Sequence, residues 1–374
     1  MTLKHRMLGT SALVGCSTLL AVTPPSVDAA EIQPGGYPDI TITGFARFLA
    51  TGGQLDDARQ DDSFSRKLDF FNDTEVHVIA RAKDEATGLE YGGTIEFEAD
   101  TNRTDNSDET WVFLRGGWGE VRLGDEDGVT DNSSVGAQTV AAGTGGLDGD
   151  IVDTLSQGMT FLTYTDDATK VRYYTPSIGG FSVGVSYTPT QTVIDSGAFN
   201  GDFLARKDGA NAMEAKNVVD GGLIYEGEVG GMAVLASIVG ITGKITSNGE
   251  DVWGDDEWWG VQGGATVDLF GFKLAGNYAT EEVGDFDRSW FTAGIGWGYG
   301  PVNTSINYSQ WVDSSGYAAD KPYTLIFSAD YTIAPGLSLA GDVGLFDNDI
   351  SGDADGYDGG DAGWQAVGRV GLAF

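Results

Sequence analysis

Along most of this chain apolar and polar residues alternate one for one, and the alternation runs to the final residue. Trp364, Ala366, Gly368, Val370, Leu372 and Phe374 make one stripe, and Gln365, Val367, Arg369, Gly371 and Ala373 fall between them. A period of two is that of a β-strand with two different faces. An apolar face ending on an aromatic, backed by a face that accepts arginine, fits a strand with lipid on one side and water on the other.

The pattern recurs in segments of about ten residues, the length of a tilted strand crossing an outer membrane. In 39–50, Ile40, Ile42, Ala46 and Phe48 oppose Thr41, Thr43 and Arg47; in 70–83, Val76, Val78, Ala80 and Ala82 oppose His77, Arg81 and Lys83. In 88–100, Leu89, Tyr91, Ile95, Phe97 and Ala99 oppose Glu90, Thr94, Glu96, Glu98 and Asp100. Further segments are predicted at 109–117, 119–125, 169–176, 180–188, 218–229, 231–243, 257–269, 271–281, 289–299, 301–312, 322–333, 337–347 and 363–374, which makes sixteen.

Their connections sort by length. Tight Gly- or Pro-containing turns (84–87, 116–118, 177–180, 229–231, 269–271, 299–301 and 334–336) alternate with long polar segments (51–68, 101–108, 126–168, 189–217, 244–256, 282–288, 313–321 and 348–362). A soluble β-sandwich has no reason to sort its loops this way. The expectation is an all-β fold, a 16-stranded antiparallel transmembrane β-barrel with short periplasmic turns and long external loops. An unpaired backbone amide costs several kcal/mol in hydrocarbon, so the last strand must close on the first. That is expected to bring Arg369 beside Arg47 on the inward face.

Composition narrows the class. Lys4, His5 and Arg6 precede an apolar stretch from Met7 to Val22, and Val27 and Ala29 supply small residues for cleavage, so 1–30 reads as a secretory signal peptide and 31–374 as the barrel domain. Leu13-Val14-Gly15-Cys16 matches a lipoprotein cleavage box, but the apolar run continues past the one cysteine, which puts Cys16 inside the removed segment and leaves no disulfide framework. The net charge of −35 excludes nucleic acid as a partner. With 57 Gly, 18 Phe, 14 Tyr and 9 Trp, disorder is the weaker reading despite that charge.

Gly116-Gly117-Trp118-Gly119-Glu120-Val121-Arg122-Leu123-Gly124 followed by an acidic loop, Lys170-Val171-Arg172-Tyr173-Tyr174-Thr175-Pro176, then Gly179-Gly180-Phe181-Ser182-Val183-Gly184-Val185-Ser186-Tyr187, and the terminal Phe374 together resemble general diffusion porins of Gram-negative bacteria, of the alphaproteobacterial type. Asp125 departs from the pattern, since such porins more often carry a basic or amide residue there. The resemblance implies a 16-stranded barrel in the outer membrane of a Gram-negative bacterium, surrounded by outer-membrane lipid and usually a homotrimer, with an inward-folded third loop. Here that loop is 126–168. Its small-residue run, Val140-Ala141-Ala142-Gly143-Thr144-Gly145-Gly146, would let it press on the inner wall, and Asp148, Asp150 and Asp153 follow. A surface-exposed acidic loop is the competing reading.

Strand parity supplies the candidate chemistry. Arg47, Arg81, Arg115, Arg122, Lys170, Arg172 and Arg369 all fall out of phase with the apolar stripe, so they are expected to face the lumen, since charge at the lipid midplane costs about 2–4 kcal/mol. This basic arc facing the acids of the third loop would set a transverse field across a constriction; arginines satisfying wall carboxylates such as Glu96 or Glu98 are the alternative. Acid clusters in the external loops predict a negative vestibule and mild cation preference. No cofactor is expected, except that Asp347, Asp349, Ser351, Asp353 and Asp358 have the spacing of a calcium loop with Asp at its twelfth position, against a plain solvated acidic loop.

Tryptophans and tyrosines near strand ends (Trp111, Trp118, Tyr173, Tyr187, Trp258, Trp259, Trp290, Trp297, Tyr299, Trp311, Tyr323 and Tyr331) suit two headgroup girdles, with core packing as the rival for each. An enzyme is not expected: His77 is the one histidine outside the leader, and its place on the Arg81 face fits a wall hydrogen bond better than a general base. The function expected is passive diffusion of small hydrophilic solutes and ions. Alternatives are a channel specific for a sugar or an anion, with Trp111 and Phe113 sharing the parity of Arg115, and a plugged structural or adhesin barrel.

Overall fold

The computed structural model describes residues 38–55, 68–99, 107–151, 162, 164–193, 213–247, 250–251, 257–284, 286–315, 321–347 and 362–374. The expected leader and Asp153 lie outside the described residues, as do Asp349, Ser351, Asp353 and Asp358.

The chain forms one closed antiparallel sheet. Its strands are β1 (Asp39–Leu55), β2 (Asp69–Asp84), β3 (Leu89–Glu98), β4 (Thr110–Gly116), β5 (Gly119–Asp125), β6 (Thr169–Tyr174), β7 (Phe181–Val193), β8 (Met213–Val229), β9 (Met232–Ser247), β10 (Glu250–Asp251), β11 (Glu257–Leu269), β12 (Phe272–Val283), β13 (Phe286–Tyr299), β14 (Val302–Ser315), β15 (Tyr323–Ala334), β16 (Leu337–Asp347) and β17 (Ala362–Ala373). Two-residue β10 only prolongs the β9 pairing, so sixteen staves make the wall. No described helix is long and apolar enough to cross a membrane.

Closure occurs where the period-two ending requires it. β17 pairs with β1 over Phe45↔Ala373 to Leu55↔Gly363. At the very end Gly44 and Phe374 exchange backbone hydrogen bonds of 2.9 and 3.0 Å. The seam thus consumes the amides an open edge would leave in hydrocarbon. The register corrects one expectation: Arg369 lies opposite Leu49, and Arg47 opposite Gly371, so the two arginines are diagonal rather than directly paired.

The alternating side chains separate into two environments. Ile295, Ile306, Phe327 and Val343 are register partners in turn across four adjacent strands, and all are outward and exposed. The intervening positions carry the polar lumen: Asn277, Thr292, Ser305, Asn307, Ser328 and Asp342 are buried inside. Turn geometry matches the sequence where it is most demanding. Gly230 and Gly231, the two residues between β8 and β9, have φ of 62° and 81°, the left-handed pair that a two-residue hairpin needs.

The tryptophans follow parity rather than height. Trp118, Trp259, Trp297 and Tyr299 point outward and exposed, whereas Trp258, Trp290 and Trp311 are at most 4% exposed and lie on the inner face. These three do not belong to a headgroup girdle, because each shares the phase of the lumenal residues of its strand.

Candidate permeation pathway

Between β5 and β6 the chain turns into the barrel. The third loop carries a single helical turn, Val129–Ser133, and two 3-10 turns, Ala137–Val140 and Gly146–Asp148, none of them signalled by periodicity. Its course is fixed by side chains of the opposite wall reaching its backbone. Asp220 of β8 accepts from Thr130 N at 2.8 Å, and Ser237 of β9 from Val135 N at 3.2 Å. Thr292 of β13 accepts from Ala137 N at 3.0 Å, and the Asn307 side chain of β14 donates to Ala137 O at 2.7 Å. Ser305 of β14 accepts from Ala142 N at 2.8 Å, Asp330 of β15 from Gly143 N at 3.1 Å, and Asp342 of β16 from Thr144 N at 3.2 Å.

A surface-exposed loop would have left these groups in water. Instead Val129, Val135, Ala137, Val140, Leu147 and Ile151 are buried against the wall, several of them beside Ile326, Phe346 and Leu49. The loop is folded inward. The small residues matter where approach is closest: at Gly143, with φ of 71°, a Cβ would lie 2.0 Å from Asp342 Oδ1.

The basic residues do not form one uniform surface. Arg369 of β17 holds Asp150 at 2.8 Å and donates to the carbonyls of Thr144 at 3.4 Å and Gly143 at 3.3 Å, so the arc meets the loop by contact at this point. Arg47 pairs with buried Asp73 at 2.9 Å, its guanidinium 3.7 Å from the Phe45 ring centre. Arg122 bonds Glu120 at 2.7 Å, reaches Glu126 at 3.4 Å and lies over Trp111 at 4.0 Å.

Lys170 and Arg172 have the expected inward phase but are covered by the loop. Both are buried at the neck of the loop. Lys170 Nζ donates to the carbonyls of Glu126, of Thr165 at 2.7 Å and of Asp166 at 2.6 Å, tying the loop's two ends. Arg172 pairs with Glu126 at 2.6 Å and donates to Asp127 O at 2.8 Å. Strand position explains this: both residues lie within two pairs of the loop's base, at Gly124↔Lys170 and Arg122↔Arg172. Arg115 and Arg81 lie toward the tight turns and are exposed, Arg115 sharing Glu120 with Arg122.

Of the loop acids, Asp150 meets Arg369, while burial and nearby Asp127 push the Asp148 carboxyl up to about 7. Asp131 is raised well above its ordinary value by burial and by Asp127. Crowding like charges in a confined loop favours the protonated form.

Several contributors were not singled out from sequence. Nothing local in the sequence marks Asp220, Asp330 or Asp342, because their role depends on which loop amide comes opposite. Arg288 lies on the inner face of β13, paired with Glu281 and 5.2 Å from the Trp290 ring centre; its shared parity with Trp290 was the available signal. Trp111 and Phe113 do face inward, their rings 6.2 Å apart.

A family model described as Gram-negative porin matches residues 16–351. No curated protein matches the chain significantly. Among solved structures, the anion-selective porin from Comamonas acidovorans superposes with a TM-score of 0.59 at 17% identity, covering 90% of this chain and 100% of that one. A mutant of Rh. blastica porin gives 0.58 at 14% identity, with the same coverages. A porin refined at 1.8 Å resolution gives 0.57 at 15%, again covering 90% and 100%.

Proposed function

This chain belongs to the Gram-negative porin family, an outer-membrane barrel, and from that membership we propose that it forms a water-filled channel for passive diffusion of small hydrophilic solutes and ions, with mild cation preference. One observation supports it above others: the third loop narrows a polar lumen while lying along one side of it, hydrogen-bonded from β8 to β17. A loop held against the wall restricts without sealing.

The sign of the preference rests on charge. The arginines nearest the loop are committed to Glu120, Glu126, Asp73 and Asp150, so their positive charge is offset, and the net charge of −35 leaves acids in excess over the chain as a whole. A structural relative is described as anion-selective, so the fold alone does not fix the sign. Homotrimeric assembly, diffusion rather than catalysis, and weak calcium uptake around Asp347 and the loop after it belong to the same proposal.

Trp111 and Phe113 beside Arg122 favour one second reading, a path selective for sugars or an anion, because an aromatic strip next to a guanidinium can track a solute. Liposome swelling with solutes of graded size separates the two. A smooth decline of rate with size supports the sieve; one solute far off that trend supports the selective path.

A further inference from the structure

Two adjacent strands place a histidine among carboxylates on the lumenal wall. Glu75 and His77 are two residues apart on β2 and share its inner face; the register sets Glu98 opposite Glu75 and Glu96 opposite His77. His77 Nε2 lies 2.9 Å from Glu75 Oε2 and 3.7 Å from Glu96 Oε2. Ligand atoms of Glu75, His77 and Glu96 all fall within 4.8 Å of one another, and those of Glu75, Glu98 and Asp108 do so as well. The Phe45 ring meets the imidazole edge-on, 6.2 Å between centres, which restricts its rotation.

A wall hydrogen bond accounts for part of this arrangement and leaves part unexplained. Glu75 is only 1% exposed, and its second oxygen, Oε1, is buried with no hydrogen-bond partner among the described residues. A buried carboxylate oxygen is costly without a donor or a cation. At metal–ligand bonds of about 2.0–2.2 Å, neighbouring ligand atoms stand about 2.9–3.5 Å apart, close to the separations found here. Carboxylates alone would suit calcium or magnesium; the imidazole nitrogen shifts the preference to the zinc class.

We propose that Glu75, His77 and Glu96 form a binding site for a divalent transition-metal ion on the lumenal wall. An ion held there adds positive charge to the pathway wall and lowers cation preference. The site rests on the β2–β3 register and not on the channel reading, so either can fail alone.

The test uses the detergent-folded chain without an affinity tag, titrated calorimetrically with ZnCl2 and separately with CaCl2. CuCl2 then serves as a paramagnetic probe. The expected result is zinc binding that excess calcium does not displace, and a copper spectrum with coupling to a single nitrogen; the chain's other histidine, His5, lies in the expected leader and is left out of the chain used. His77→Gln should weaken zinc binding about tenfold or more and abolish the nitrogen coupling, while calcium uptake stays as it was. Glu96→Gln should weaken zinc several-fold and keep the nitrogen coupling, which preserves the test if the histidine variant does not fold. Zinc affinity unchanged in a folded His77→Gln or Glu96→Gln chain, zinc displaced freely by calcium, or copper bound without nitrogen would overturn the proposal.

Discussion

Arg369 on the closing strand grips Asp150 of the third loop through a 2.8 Å ion pair, while the same guanidinium caps the carbonyls of Gly143 and Thr144. The strand that seals the barrel therefore also anchors the far end of the third loop. Arg369→Ala removes three contacts and one positive charge together. We expect folding stability to fall by about 1.5–3 kcal/mol, the worth of hydrogen bonds to a charged group, and cation preference to rise. Denaturant midpoints and reversal potentials measure the two effects; Asp150→Asn, which leaves the two carbonyl contacts in place, should show a smaller first effect and reverse the second.

Gly143 marks the closest approach of loop and wall. Its φ of 71° disfavours side chains, and a Cβ there would run into Asp342. Gly143→Val should push the loop off β15 and β16. Single-channel recording is expected to show larger or noisier steps, with the barrel still folded by circular dichroism. Unchanged steps would mean the loop does not set the conductance.

Arg122 and Arg81 share inward parity but not depth. Arg122 contacts Glu126 at the neck of the loop, whereas Arg81 sits exposed near the tight β2–β3 turn. Arg122→Ala should therefore alter selectivity more than Arg81→Ala. No change in either variant would refute the transverse field.

Protonation of the loop should be felt near neutrality. Burial and Asp127 raise Asp148 to about 7. The folded state then binds its proton more tightly than the unfolded chain, so this group's contribution to stability weakens as pH rises from about 4 to about 7. Over the upper part of that window the loop gains negative charge. Cation preference is expected to drop on acidification from about pH 8 to about pH 6, and Asp148→Asn should flatten the change. A flat profile in the unmodified chain would contradict it.

What could be read from the chain divides along the range of its interactions. The alternation fixed strands 119–125, 257–269 and 337–347 at the bounds the structure shows, because period two and neighbouring turns are local. The inward phase of Arg369, Arg47 and Arg122 was legible for the same reason. The loop's course was not, since Thr130 meets Asp220, Ala137 meets Thr292 and Thr144 meets Asp342 across the barrel. The burial of Lys170 was equally hidden: parity gave its face, and only the neck formed by Glu126 and Thr165 gave its partners. For Trp258, Trp290 and Trp311 a headgroup girdle and core packing were both open, and strand phase, which puts them on the inner face, decides for the interior.

The central claim, an open lumen with net negative character, is tested most directly by planar-bilayer recording of the refolded chain across a salt gradient. The account predicts stable conducting steps and a reversal potential of cation-preferring sign, strongest near 0.1 M salt and fading toward 1 M, where the Debye length shrinks from about 10 Å to about 3 Å. Absence of conducting steps, or an anion-preferring potential at low salt, would contradict it.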